Sequence, residues 1–257
     1  MIALVDGDLV AYRCAASCEP TQKKPFLEPL DQAIYRCDEI MHRIMLESGS
    51  DSHKTFLSGP GNFRYEVDPD YKANRRRLIA PTYLLNCRDF LLSDWDARIV
   101  AGYEADDAIG IAASPETVVC SNDKDFRQIA GHHYDFTKSI YFEVDEEQAH
   151  RQFWYQMLIG DKADNVRGVL GFQAYKTAER TLESTPPEDW EHLIRQMYDN
   201  DEWFYRNQTL LRILRSEEEY AIIRKALDEN EQRKTKGTVV TATGSEEDLS
   251  PFQTINS

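Results

Sequence analysis

The sequence predicts an α/β fold: a mostly parallel central sheet flanked by helices, followed by a helical region. Three observations predict it. Short strand-like runs at residues 2–5, 55–57, 98–100 and 117–120 recur with helix-length stretches between them, the alternation that builds parallel sheets. Several lead into acids, as in Asp6-Gly7-Asp8 and Ser121-Asn122-Asp123-Lys124-Asp125, and ligands of open parallel sheets bind at the carboxyl ends of strands. From Asp145 onward the apolar spacing is almost wholly helical.

Each element follows in order. Residues 2–5 form a buried strand that delivers Asp6. Residues 9–16 are helical, residues 19–29 with their three prolines a loop, and residues 31–46 a helix with Ile34, Ile40, Met41, Ile44 and Met45 as an approximate stripe. A strand at 55–57 runs into the breaker Ser58-Gly59-Pro60-Gly61-Asn62. Asp70-Tyr71-Lys72-Ala73-Asn74-Arg75-Arg76-Arg77 is the most basic window; it reads either as a solvated face or as a phosphate grip, with Arg as a planar fork and Lys as a point charge. Tyr71 and Tyr83 are candidates to stack on bases. A helix at 81–92 and a strand at 98–100 precede Gly102-Tyr103-Glu104-Ala105-Asp106-Asp107, which enters a helix. There Glu104 and Asp107, three apart, share a face. The acids suit either a helix N-terminus or a divalent cation bound through oxygen. Residues 134–144 form two short strands, and 147–159 a helix ending at Gly160-Asp161-Lys162-Ala163-Asp164-Asn165, where Asp161 and Asp164 have helical-face spacing. The Gly-rich stretch 168–178 reads as a connector or as an anion-binding turn. Helices follow at 188–200, 203–214 and 217–232.

Composition narrows the function classes. The chain has 257 residues, 41% of them hydrophobic, enough for a substantial core. No apolar run reaches membrane-spanning length, and the apolar N-terminus lacks the basic region of a signal peptide. Five cysteines without a Cys-x-x-Cys pair read as reduced thiols in a cytosolic protein. A net charge of −15 argues against nucleic acid when taken as an average, but acids gathered at a metal site leave a local basic patch free to act. The spacing of an EF-hand loop is absent.

Taken in order, Asp6-Gly7 after an apolar strand, Tyr71-Lys72-Ala73-Asn74-Arg75, Gly102-Tyr103-Glu104-Ala105-Asp106-Asp107, Ser121-Asn122-Asp123-Lys124-Asp125 and Gly160-Asp161-Lys162-Ala163-Asp164-Asn165 resemble the motif series of 5′-nucleases. That family includes the 5′-3′ exonuclease domain of bacterial DNA polymerase I, flap endonucleases and phage 5′-exonucleases. The resemblance spans residues 2–182, and the compact length is most like a stand-alone phage-type enzyme.

The resemblance implies a PIN-like nuclease core at 1–144 with an arch segment near 71–92, a helical region at 145–235 with a helix-hairpin-helix element, and a poorly ordered tail at 236–257. It implies two Mg²⁺ ions, with Mn²⁺ as a substitute. Asp6, Glu104, Asp106 and Asp107 resemble the ligands of one ion; Asp123, Asp125, Asp161 and Asp164 resemble those of the other. Lys72 and Arg75 match residues that contact the reacting phosphate. Tyr71, Arg76 and Tyr83 fall in the arch, and Gly168, Gly171 and Lys176 in the hairpin. The implied reaction cuts DNA near a 5′ end or flap and leaves 5′-phosphate and 3′-hydroxyl ends, in a monomer that touches no membrane. RNA in RNA–DNA hybrids is the alternative substrate, and non-cleaving structure-specific binding the alternative class. Two departures stand out: Ser58 near a place where the family usually has Asp, and Gly171-Phe172-Gln173 where it has Gly-hydrophobic-Gly.

Overall fold

The computed structural model describes residues 1–239. In chain order the elements are β1 (Ile2–Asp6), α1 (Gly7–Ser17), α2 (Leu30–Glu47), β2 (Ser52–Ser58), α3 (Arg64–Val67), α4 (Leu84–Asp94), β3 (Arg98–Val100), α5 (Ala105–Ala112) and β4 (Thr117–Cys120). Then come β5 (Gly131–Asp135), β6 (Ile140–Val144), α6 (Glu146–Ile159), β7 (Gly160–Asp161), β8 (Val166–Arg167), α7 (Tyr175–Glu183), α8 (Trp190–Met197), α9 (Asp201–Leu211) and α10 (Glu217–Val239). The last helix runs past the expected start of the tail at Lys236; the rest of that tail lies outside the described residues.

The chain forms two compact units: Met1–Asn62 with Arg77–Ala149, and Phe63–Arg76 with the chain from His150 onward. The first holds a sheet of order β3-β2-β1-β4-β5-β6. All its neighbours pair in parallel except β5 and β6. Strand β1 is central because residues 3–5 are apolar on both faces and bury on both. Ala3, Val5, Leu57, Val118 and Cys120 pack with buried residues of α1, α2 and α4. Order reverses at β1, which has β2 on one side and β4 on the other. Register keeps Asp6 level with Phe56, and Val5 level with both Thr55 and Cys120. Such a reversal is where parallel sheets open a crevice for ligands.

Gly7 makes the close start of α1 possible. A Cβ there would stand 2.7 Å from the Phe56 carbonyl oxygen.

The second unit is mainly helical. Its core gathers Tyr71, Trp154, Met157, Trp190, Tyr198 and Phe204, among others. The segment Phe63–Arg76, expected from the sequence within the α/β core, belongs to this unit. Its basic window is a loop ending in a 3-10 turn, Ala73–Arg77. Between α6 and α7 the chain makes the short antiparallel ribbon of β7 and β8, so Asp161 ends β7, Asp164 sits in the turn that follows, and neither is on a helix.

Candidate active site

In the first unit the acids arrive at one sheet edge by three routes. Asp6 ends β1 and caps α1: its Oδ1 accepts the Leu9 N–H at 2.9 Å and its Oδ2 the Ser121 hydroxyl at 3.0 Å. It is 5% exposed. Burial first, then the carboxylates of Asp8 and Asp123, push it up to about 7 from 3.8, against the pull of the Leu9 and Ser121 hydrogen bonds. Asp123 follows β4. Its N–H donates to the Ser121 Oγ at 3.1 Å, and its Oδ1 accepts the Asp125 N–H at 2.9 Å. Lys124 Nζ stands 3.4 Å from Asp125.

The third route is the start of α5. Glu104 is its N-cap, and Glu104 and Asp107 form a reciprocal capping box. The Glu104 N–H donates to Asp107 Oδ2 at 3.0 Å, and Asp107 is fully buried. The helix-terminus reading of these acids is therefore realised in the fold. Asp106 lies beside them in the same first turn. Ser58, the departure noted in the sequence, ends β2 and accepts the Ala105 N–H on its hydroxyl at 2.9 Å.

The second unit presents a different arrangement. Asp161 is buried, and its Oδ1 accepts the N–H groups of Ala163 (2.6 Å) and Asp164 (3.1 Å). Asp164 takes the Tyr71 hydroxyl on Oδ2 at 2.8 Å and Arg75 Nη2 on Oδ1 at 2.7 Å, with Lys72 Nζ at 3.8 Å. Arg75 Nε also donates to the Ala163 carbonyl at 2.9 Å, and Asn74 Nδ2 to that of Lys162 at 2.8 Å. Asn165 Nδ2 returns a bond to the Asp70 carbonyl at 2.9 Å, and the Lys72 N–H donates to the Asp164 carbonyl at 2.8 Å. Lys72 (φ 54°) and Asn165 (φ 61°) hold left-handed backbone on the two sides of this clamp.

The residues suit hard divalent ions in donor chemistry, being carboxylates throughout. A cation beside Asp6 would relieve the repulsion that hinders its ionisation. Yet among the described residues no three His, Cys, Asp or Glu side chains are arranged to hold one ion. Oxygens of Asp6, Asp107 and Asp161 are taken up by hydrogen-bond donors. The acids of the first unit follow the ends of β1 and β4 and the start of α5, while Asp161 and Asp164 belong to the second unit.

A model of the 5′-3′ exonuclease N-terminal, resolvase-like domain matches residues 1–156. The chain belongs to that family. It is 27% identical to the exonuclease of Escherichia phage T7 over 198 residues, which is 66% of this chain and 63% of that protein. It is 28% identical to DNA polymerase I of Bacillus caldotenax over 206 residues, 70% of this chain and 23% of the polymerase. The chain thus spans less than two thirds of these relatives. The bacteriophage T5 flap endonuclease, solved as a pseudo-enzyme-product complex with DNA and metal ions, has the same fold: TM-score 0.59 at 18% identity, covering 93% of this chain and 97% of that one.

Within this 5′-3′ exonuclease fold several sequence expectations need correcting. Tyr71 is 1% exposed and packs in the core of the second unit, so its ring offers no face to a base; its ring supports Lys72, whose Nζ lies 5.0 Å from the centroid. Tyr83 is half-buried against the helices of the first unit. Gly168 is buried, with its Cβ position 2.3 Å from the Gly160 nitrogen, so close backbone packing by itself requires glycine there. Gly171 is buried with φ 81°, and positive φ outside glycine occurs only at Lys72, Asp96, Ser139 and Asn165 among the described residues. Gln173 therefore pays no left-handed penalty. Arg76 is exposed and donates to the Pro69 carbonyl. Lys176 is exposed in the first turn of α7. Sequence reasoning missed Ser121, whose hydroxyl bridges Asp6 and the Asp123 backbone, and the clamp residues Asn74 and Asn165. Each lies inside a motif quoted above, but its role depends on a partner far away in sequence: Asp6 for Ser121, Lys162 for Asn74 and Asp70 for Asn165.

Proposed function

We propose that this chain is a metal-dependent 5′-3′ exonuclease and structure-specific endonuclease that hydrolyses DNA near a 5′ end or flap. The supporting observation is the arrival of carboxylates at one sheet edge, from the end of β1, the start of α5 and the turn after β4, in a member of the 5′-3′ exonuclease family. In the first unit Asp6, Glu104, Asp106 and Asp107 are assigned to one Mg²⁺, and Asp123 and Asp125 to a second, with Mn²⁺ as a substitute. Bound ions of this kind supply an activated water and charge stabilisation at the leaving oxygen.

The protein's own groups do the rest. Lys72 and Arg75 bind the reacting phosphate and oppose the negative charge that develops on it. Arg76 holds the strand by its backbone, and Lys176 contacts duplex phosphates from α7. The expected products carry 5′-phosphate and 3′-hydroxyl ends.

The test is a panel of substrates labelled at either end: duplex, 5′ flap and RNA–DNA hybrid, each with Mg²⁺ or EDTA. The proposal expects Mg²⁺-dependent cutting that begins at the 5′ end. Shortening from the 3′ end, or products bearing 3′-phosphate, would overturn it. Preferential cutting of the hybrid would move the substrate class to RNA on the same fold.

A further inference from the structure

Arg88, on α4, is a charged residue that the proposed reaction leaves without a task. Its side chain is 21% exposed. It pairs with Asp8 Oδ1, and its Nη2 donates to the Ser58 carbonyl at 2.6 Å. The other Asp8 oxygen, Oδ2, accepts the Ser58 N–H at 2.8 Å. Guanidinium and carboxylate thus close on both main-chain groups of the last residue of β2. The Ser58 hydroxyl is then presented to the Ala105 N–H at the start of α5. One cation therefore links α4, the first turn of α1, the end of β2 and the helix terminus that carries Asp106 and Asp107. A planar fork suits this task, since it meets a carboxylate and a carbonyl at once.

We propose that Arg88 is the resident cation of the acidic sheet edge: it compensates Asp8, seats Ser58 under α5, and so sets how strongly the edge draws a divalent ion. The inference rests on the metal-dependent reading above. Asp8 lies two residues from Asp6 in the first turn of α1, so its carboxylate adds to the negative field at that edge. A positive charge fixed on Asp8 offsets part of that field at all times, and a divalent ion offsets the remainder. The two cations act on the same repulsion, so removing one increases what the other gains by binding. A mere strap between α4 and β2 would stabilise the ion-free and ion-loaded protein alike.

The experiment measures Ca²⁺ and Mg²⁺ binding by calorimetry, and melting temperature with and without each ion, on the full chain in the absence of DNA. Arg88→Met should lower the melting temperature of the ion-free protein and tighten the ion Kd about three- to tenfold. Arg88→Lys should stay near wild type. Asp8→Asn combined with Arg88→Met should return the Kd toward wild type, since the removed charges cancel. Should Arg88→Met fail to fold, Arg88→Gln keeps a donor for the Ser58 carbonyl and reads the same quantity. An unchanged Kd with equal loss of stability in both states would overturn the inference and leave Arg88 a strap. A weakened Kd would also overturn it, because Arg88 would then supply geometry alone. If wild type binds neither ion, the metal-dependent reading fails, and this inference with it.

Discussion

The acidic edge of the first unit and the turn at Asp161–Asn165 in the second use the same residue type under opposite electrostatics. Asp6 is buried beside two further carboxylates, and its charge is opposed. Asp164 faces Arg75 at 2.7 Å, Lys72 at 3.8 Å and the Tyr71 hydroxyl at 2.8 Å, and its charge is matched from within the chain. The first region therefore has most to gain from an added cation. The second already satisfies its acid, and the basic residues that do so are the ones assigned to a phosphate. An anionic substrate must compete with Asp164 for them.

The largest expected effects lie in the first region. Asp123→Ala should cut the cleavage rate by more than about a hundredfold while DNA binding in Ca²⁺ persists. Asp107→Asn with Asp125→Asn should remove most of the ion-induced rise in melting temperature. If that rise survives intact in the double variant, the ligand assignment is wrong and the contrast with the second unit collapses.

In the second region, Lys72→Ala and Arg75→Ala should each lower kcat by about a hundredfold, with a smaller change in affinity, because their charge matters most as charge develops on the phosphate. Single-turnover rates and equilibrium binding on a 5′-flap substrate separate the two. Losses of equal size in both would mark these residues as plain binding groups.

A pH series sharpens the comparison further. A carboxyl raised in the folded state favours folding while protonated. For Asp6 that contribution is present below its unfolded value and is lost as pH rises from about 4 through about 7. An ion that binds the charged form offsets this loss, so the ion-induced rise in melting temperature should grow between about pH 5 and about pH 8. Asp6→Asn should flatten the growth. A wild-type shift that is constant over this range would show that Asp6 is not where the ion acts.

The smallest effect belongs to Tyr71→Phe, which removes one hydrogen bond to Asp164. It should cost about 1 kcal/mol in urea unfolding, and wild-type activity should be largely retained. A collapse of activity with stability unchanged would give the hydroxyl a direct chemical role and end its reading as a support for the clamp.

The sequence by itself determined the strand order of events along the chain and the family. Short strand-like runs separated by helix-length stretches mark a parallel sheet, and the residues 98–100 and 117–120 read from pattern are the observed β3 and β4; of the two only β4 is buried throughout, because β3 is the edge strand. Acids placed just past such strands were legible as a ligand edge for the same local reason. What only the tertiary structure decided is which partner each charge meets. Tyr71 lies 93 residues from Asp164, Ser121 lies 115 from Asp6 and Arg88 lies 80 from Asp8. Pattern and propensity act over a few residues, whereas these contacts form where separate elements are packed together. That is why an aromatic read as a base-stacking surface is a buried prop, and why an unremarked arginine on α4 stands at the acidic edge.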